Sequence, residues 1–222
     1  LFYGYETAGV FSTDADAKAA GKNGNYLYMT DDAGNSEYFQ AGDVHFVDRN
    51  GDGKIDANDK TVIGDPNPDI YGNIFANLNW KDITLSLNFN YSLGNDVYNY
   101  QRSILNSGST FYNQQVAEVN RWRYEGQVTD IPRAYYGDPK GNNRFSDRWI
   151  EDGSYLRLKA INLSYKVPVP GSWTWLQGLT VWAEMQNVFT LTKYLGSDPE
   201  FSIGSSAFYQ GIDCGNMAQG RS

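Results

Sequence analysis

The residues best suited to chemistry form one twelve-residue stretch, Asp48-Arg49-Asn50-Gly51-Asp52-Gly53-Lys54-Ile55-Asp56-Ala57-Asn58-Asp59. Side-chain oxygens fall at its first, third, fifth, ninth and twelfth positions, from Asp48, Asn50, Asp52, Asp56 and Asp59, and Lys54 at the seventh would add its backbone carbonyl. Gly53 permits the sharp turn and Ile55 is an apolar pin. Hard oxygen donors at this spacing suit Ca2+ better than a transition metal. The closing residue is Asp rather than Glu, which shortens bidentate reach, and neither flank has a helical pattern. The expectation is therefore a structural calcium site of the extracellular kind and not a switch. The competing reading is an Asp/Asn/Gly turn without metal.

Other chemistries are poorly supplied. One cysteine, Cys214, and one histidine, His45, exclude a disulfide framework and a Cys/His zinc site within this chain. A Ser-His-Asp arrangement would have to use His45, which sits in a strand-like Asp-Val-His-Phe-Val run. No carboxylate pair is placed to argue hydrolysis, so no catalytic residue is assigned and the chain is not read as an enzyme. Trp122, Tyr135, Tyr136 and Trp149 are the candidates for touching a bound molecule, because aromatic faces stack on sugar rings and flat peptide groups. Each could instead pack its loop, and that reading is favoured for Trp149. Arg121, Arg123, Arg133 and Arg148 could pair with loop carboxylates or with a ligand.

The elements that would position these residues are strands. Of 222 residues, 17 are Tyr and 6 are Trp, a composition that favours strands over helix bundles. Lys and Arg number 18 against 26 Asp and Glu, a net charge of −8, which argues against a basic nucleic-acid-binding face. Ile83, Leu85, Leu87, Phe89 and Tyr91 alternate with Thr84, Ser86, Asn88 and Asn90. Upstream, Ile74, Ala76, Leu78 and Trp80 alternate with Phe75, Asn77 and Asn79. The link Lys81-Asp82 would pair Trp80 with Ile83 and Leu78 with Leu85, placing both apolar sets on one face of a hairpin. Further strand pattern covers Tyr155 to Lys166 and Leu179 to Thr190, separated by the Pro-rich Val167-Pro168-Val169-Pro170. A short helix is expected over Ser12 to Ala20, capped by Thr13 or Ser12 and stopped by Gly21, and a second loop helix over Phe111 to Tyr124.

Alternation alone fits either a soluble sheet or the wall of a membrane barrel. Two details favour the barrel. The polar face of residues 83–91 carries Thr, Ser and Asn without charge, and Trp80 and Tyr91 stand near opposite ends of the apolar face, where membrane barrels place aromatic girdles. Short links alternating with long loops agree with that architecture. No stretch approaches the roughly 18 apolar residues of a membrane helix, but barrel strands need only about ten alternating residues.

Gly42-Asp43-Val44 leading into Asp48 to Gly53, Ile63-Gly64-Asp65-Pro66-Asn67-Pro68, Ser146-Asp147-Arg148-Trp149-Ile150-Glu151-Asp152-Gly153-Ser154-Tyr155-Leu156-Arg157-Leu158-Lys159, Gln186-Asn187-Val188-Phe189-Thr190, Asp198-Pro199-Glu200 and Gly211-Ile212-Asp213, taken in this order, resemble the SusC/RagA-type TonB-dependent transporters. The resemblance implies an all-β fold, part of a large antiparallel 22-strand transmembrane barrel of the bacterial outer membrane with a short loop helix. It implies energy supplied through TonB, a SusD-like surface lipoprotein as partner, outer-membrane lipid around the wall, and a glycan or peptide as cargo. Members are much longer, so the chain is expected to be a segment lacking the plug, the TonB-contacting part and a final strand beyond Arg221-Ser222. On that basis residues 1–73 are expected to be an external loop region containing the calcium-type loop 48–59. Residues 74–222 would be C-terminal barrel strands with long external loops at 94–154 and 194–213, and Lys81-Asp82 and Val167 to Gly178 would be periplasmic turns. The alternative function is a soluble, calcium-stabilised β-rich carbohydrate-binding or adhesion module.

Overall fold

The computed structural model describes residues 1–31, 33–173, 175–200 and 209–215. The chain forms two compact units, one of Leu1–Pro66, Tyr98–Glu151 and Ile212–Cys214, the other of Asn67–Val97, Asp152–Gly211 and Gly215–Ser222. The long excursion thus does not form a unit of its own: most of it folds with the N-terminal region.

In the first unit six short strands pair as three antiparallel ladders. These are β1 (Phe2–Gly4), β2 (Thr7–Val10), β3 (Tyr28–Thr30), β4 (Ser36–Tyr38), β5 (Val44–Phe46) and β6 (Thr61–Gly64), with β1 on β6, β2 on β5 and β3 on β4. Helix α1 (Asp14–Ala19) starts where expected, with Thr13 as N-cap in a reciprocal capping box with Asp16. Phe11, Ala17, Leu27, Phe39, Val44, Phe46 and Ile55 form the buried core. Ile55, the pin of the calcium-type loop, enters this core, and its N–H donates to the Tyr28 carbonyl at 2.8 Å.

The second unit is built on long strands. After β7 (Ile70–Trp80) and β8 (Ile83–Leu93), the chain passes through β9 (Asp96–Asn99), helix α2 (Tyr100–Leu105) and β10 (Ile150–Asp152). It then forms β11 (Tyr155–Val167) and β12 (Leu179–Thr192), and later the short β13 (Ile212–Asp213), which like α2 belongs to the first unit. Strands β12, β11, β8 and β7 lie in that order in one antiparallel sheet. Trp80 pairs with Ile83 and Leu78 with Leu85, the register that alternation and a two-residue link require. Lys81 takes the left-handed conformation at φ 53° to close the turn.

The helix expected over Phe111 to Tyr124 is not formed. Only Val116–Asn120 winds, as a 3-10 turn, and the loop's regular helix is α2, at Tyr100–Leu105. Short helices draw most of their stability from burying an apolar face. Here that face is turned outward: Val116 is 85% exposed and Val119 61%, while Glu118 is buried at 4%.

Candidate functional site

The four-stranded sheet has two chemically distinct faces. Across it, Ile74, Phe89, Leu158 and Phe189 form one row, Leu78, Leu85, Leu163 and Ala183 another, and Trp80, Ile83, Tyr165 and Val181 a third. Rows on the opposite face read Asn77, Ser86, Asn162 and Glu184, and Asn73, Asn90, Arg157 and Thr190. A bulge between Leu158 and Ala160 takes up Lys159 without exchanging the faces, so the segregation persists along the whole of β11. The polar face is interrupted by Tyr71, Phe75 and Trp182, all exposed. On the apolar face Trp80 is 66% exposed. On the same face Ile74, Leu78 and Val181 are also more than half exposed, whereas Leu158 is buried.

The calcium-type loop is closed by its own hydrogen bonds. Asp48 accepts from the Gly51 and Gly53 N–H groups at 2.7 Å each, and Asp52 from the Lys54 N–H at 2.8 Å. Asp56 accepts from the Asn58 N–H at 2.8 Å, which holds its carboxyl below the usual range. Asp59 is fully buried and accepts from the Arg49 and Asp56 N–H groups at 3.0 and 2.8 Å. Asn50 donates its amide to Asp52 at 3.0 Å, Lys54 lies 3.4 Å from Asp56, and Lys22 donates to the Gly51 carbonyl at 2.6 Å. Each accepting carboxylate oxygen keeps a second lone pair, so the donor chemistry fits a cation. As placed, however, no three acidic, His or Cys side chains among the described residues converge on one metal position.

The aromatic candidates separate. Trp149 is only 1% exposed, its Nε1–H donates to the Arg144 carbonyl at 3.2 Å, and the Arg148 and Arg102 guanidinium groups stand over its ring at 4.7 and 5.8 Å. It is a packing residue with no face for a ligand, which corrects its place among the binding candidates. Burial, reinforced by Arg102, brings the Arg148 guanidinium down to about 10. Trp122 is half-buried, donates to the Ser12 carbonyl at 3.3 Å and lies so close to Gly42 that a Cβ there would meet its ring at 2.5 Å. Tyr135 and Tyr136 are exposed. The Tyr136 ring stacks on Phe111 with centroids 5.0 Å apart, and Arg133 stands 5.7 Å over Tyr135.

Of the four loop arginines weighed as ligand contacts, Arg133 finds a carboxylate. Its Nε and Nη2 both donate to buried Asp43 at 2.9 Å, and Asn142 adds a third donor to the same carboxylate at 3.1 Å. Arg121, Arg123 and Arg148 donate instead to the carbonyls of Glu118, Val119 and Asn142. The Asp43–Arg133–Asn142 clamp escaped the sequence, where Asp43 lies 90 and 99 residues from its two partners and no spacing signal joins them.

No protein-family model matches the chain. TonB-dependent receptor P3 of Formosa agariphila is 34% identical over 203 residues, covering 90% of this chain and 18% of that protein. TonB-dependent receptor SusC of Bacteroides thetaiotaomicron is 30% identical over 171 residues, 73% of this chain and 16% of that protein. Among solved structures, the RagAB peptide importer in its closed-closed state matches with TM-score 0.61 at 26% identity, over 89% of this chain and 20% of that one. The chain belongs to the SusC/RagA-type TonB-dependent transporters. It spans about a fifth of the length of the relatives it matches. The RagAB importer in its open-open state shares the fold at TM-score 0.64 over 96% of this chain.

For a SusC/RagA-type segment, the sheet with two faces is the feature of interest, together with Tyr135, Tyr136 and the half-buried Trp122 in the long loop. The expected external loop 194–213 lies in part, at residues 201–208, outside the described residues, as do the terminal residues 216–222.

Proposed function

We propose that this segment supplies wall strands and external loops to an outer-membrane importer of glycans or peptides, energised through TonB and working with a SusD-like surface lipoprotein. Its role is transport rather than catalysis. The observation that carries the reading is the unbroken apolar face of four strands, 11 to 14 residues long, backed by a face of mainly Asn, Ser and Thr. Apolar groups that no protein layer covers are stable against lipid, and small neutral polar groups suit a water-filled interior. Within the described sheet β7 and β12 each leave one edge without a strand neighbour, as strands of a larger closed wall would. Tyr135 and Tyr136, exposed in the long loop, and the half-buried Trp122 earlier in the same loop are the residues proposed to meet cargo.

The test uses the full-length protein in its native host. It should sediment with the outer membrane and require detergent for release, co-purify with a surface lipoprotein, and support uptake of fluorescent glycans or peptides that ceases when TonB is removed. Release into buffer without detergent would overturn the reading. It would favour instead the soluble, calcium-stabilised module, whose support is the packed core of the first unit around Ile55.

Structural calcium at Asp48, Asn50, Asp52, Lys54, Asp56 and Asp59 is proposed as part of the external rim. It is supported by the oxygen spacing and by loop geometry already set by Asx-type hydrogen bonds. Binding requires the carboxylates to draw together around the ion. Terbium luminescence on the wild type should exceed that of Asp52→Ala at least several-fold, and equal signals would remove the site.

A further inference from the structure

Residues after β12 turn back over the sheet's polar face, the side that carries Asn90, Arg157 and Thr190. Tyr194 is buried, and its backbone N–H donates to the Thr192 hydroxyl at 3.1 Å. Gly196 lies under the Tyr194 ring so closely that an added Cβ would stand 2.3 Å from it, which requires glycine at this bend. Beyond the bend, Asp198 and Glu200 meet the sheet. Arg157, nearly fully buried, donates through Nη2 to Asp198, lies 3.0 Å from Glu200 through Nη1, and holds its orientation by donating from Nε to Thr190 at 2.9 Å. Lys159, the bulge residue, stands 2.8 Å from the other Glu200 oxygen, and the Asn90 amide donates to that oxygen at 3.4 Å. The Glu200 N–H returns to Asp198 at 2.9 Å, tying the two carboxylates of the segment together.

Two cations from the sheet therefore face two carboxylates from the returning segment. This cluster has a property that apolar packing lacks: it can open into water without exposing greasy surface, because every group in it is readily hydrated. Closed and shielded from solvent, the same charges are screened little by salt and hold firmly. The bulge is what brings Lys159 to this side without breaking the alternation on either flank.

We propose that Arg157 and Lys159 hold residues 194–200 as an electrostatic strap across the polar face, and that releasing the strap widens the aqueous path for cargo. The proposal rests on the reading above that this face lines a water-filled interior. Arg157 is a positioning residue here: it acts on cargo through the segment it holds.

The test places one reporter cysteine, Ser86→Cys, on the same face in a full-length protein otherwise free of cysteine. The rate of its reaction with the charged reagent methanethiosulfonate-ethyltrimethylammonium is followed in outer membranes by peptide mass spectrometry. Arg157→Gln, and separately Asp198→Asn with Glu200→Gln, should raise the rate at least tenfold. Asn90→Cys with Glu200→Cys, oxidised to a disulfide, should lower it below the starting rate, and reduction with dithiothreitol, washed out before the reagent is added, should raise it above that rate because the Glu200 carboxylate is gone. The disulfide arm decides the matter where the Arg157 variant does not insert. Equal rates with the strap free and cross-linked overturn the strap while leaving the water-filled interior intact. A cysteine at 86 unreactive in every background overturns the interior reading itself, and the strap with it.

Discussion

Phe39, Val44 and Phe46 in the first unit are fully buried, whereas Trp80, Leu78 and Val181 in the four-stranded sheet stand more than half exposed. Both regions are rich in the same large apolar side chains. In the first, short ladders and α1 close around a core, and burial removes the apolar surface from water as in any soluble fold. In the second, the apolar residues share one face of the sheet, and Trp80, Leu78 and Val181 on it stand open. The proposed wall reading accounts for the difference: the first unit sequesters its apolar groups in protein, and the second would set its own against lipid.

Substitutions should separate the two regimes. The largest effect is expected at Phe46→Ala, where a cavity opens in a packed core and stability of the first unit should fall by about 3–5 kcal/mol. Hydrogen exchange in the full-length protein should show the loss confined to residues that pack with Phe46. Next is Leu87→Arg on the apolar face, which should cost the inserted protein about 2–4 kcal/mol in urea unfolding from bilayers, against near zero for Ser86→Arg one residue away. Equal costs at 86 and 87 would break the comparison, because the two faces would then meet the same medium.

The smallest effect concerns Glu118, buried beneath outward-facing Val116 and Val119 with one carboxylate oxygen lacking a hydrogen bond. Burial raises its carboxyl above the ordinary range. The native state therefore holds this proton more tightly than the unfolded chain. The stability it contributes is full below the ordinary carboxylate pKa and is lost as pH rises through the raised value. Glu118→Gln should stabilise the first unit by about 1 kcal/mol or less near pH 7, and the gain should vanish near about pH 4. Thermal melts at the two pH values check the sign.

The wall was legible because its signals are local. Period-two alternation and the Lys81-Asp82 link determine the Trp80–Ile83 register with no knowledge of the rest of the chain. The Thr13 cap and the Ile55 pin are equally local. What the sequence hid depends on distant partners. Nothing near Trp149 points to Arg102 over its ring, and Asp43 gives no sign of a partner at Arg133. The helix expected over residues 111–124 followed from periodicity, but Val116 and Val119 on its apolar side stand exposed, so tertiary context prevailed over pattern. Arg157 and Lys159 put charge into β11, and the meaning of that charge emerges only with Asp198 and Glu200 opposite it.

Spin labels placed singly from Thr84 to Asn90 in the full-length protein, reconstituted in bilayers, give the most direct view of which medium each side meets. Labels at 85, 87 and 89 should relax fastest with oxygen, which concentrates in lipid, and labels at 84, 86 and 88 with a water-soluble nickel chelate, alternating residue by residue. Labels at 85, 87 and 89 shielded from both would mean that another protein layer covers them, and the membrane-wall account would be wrong.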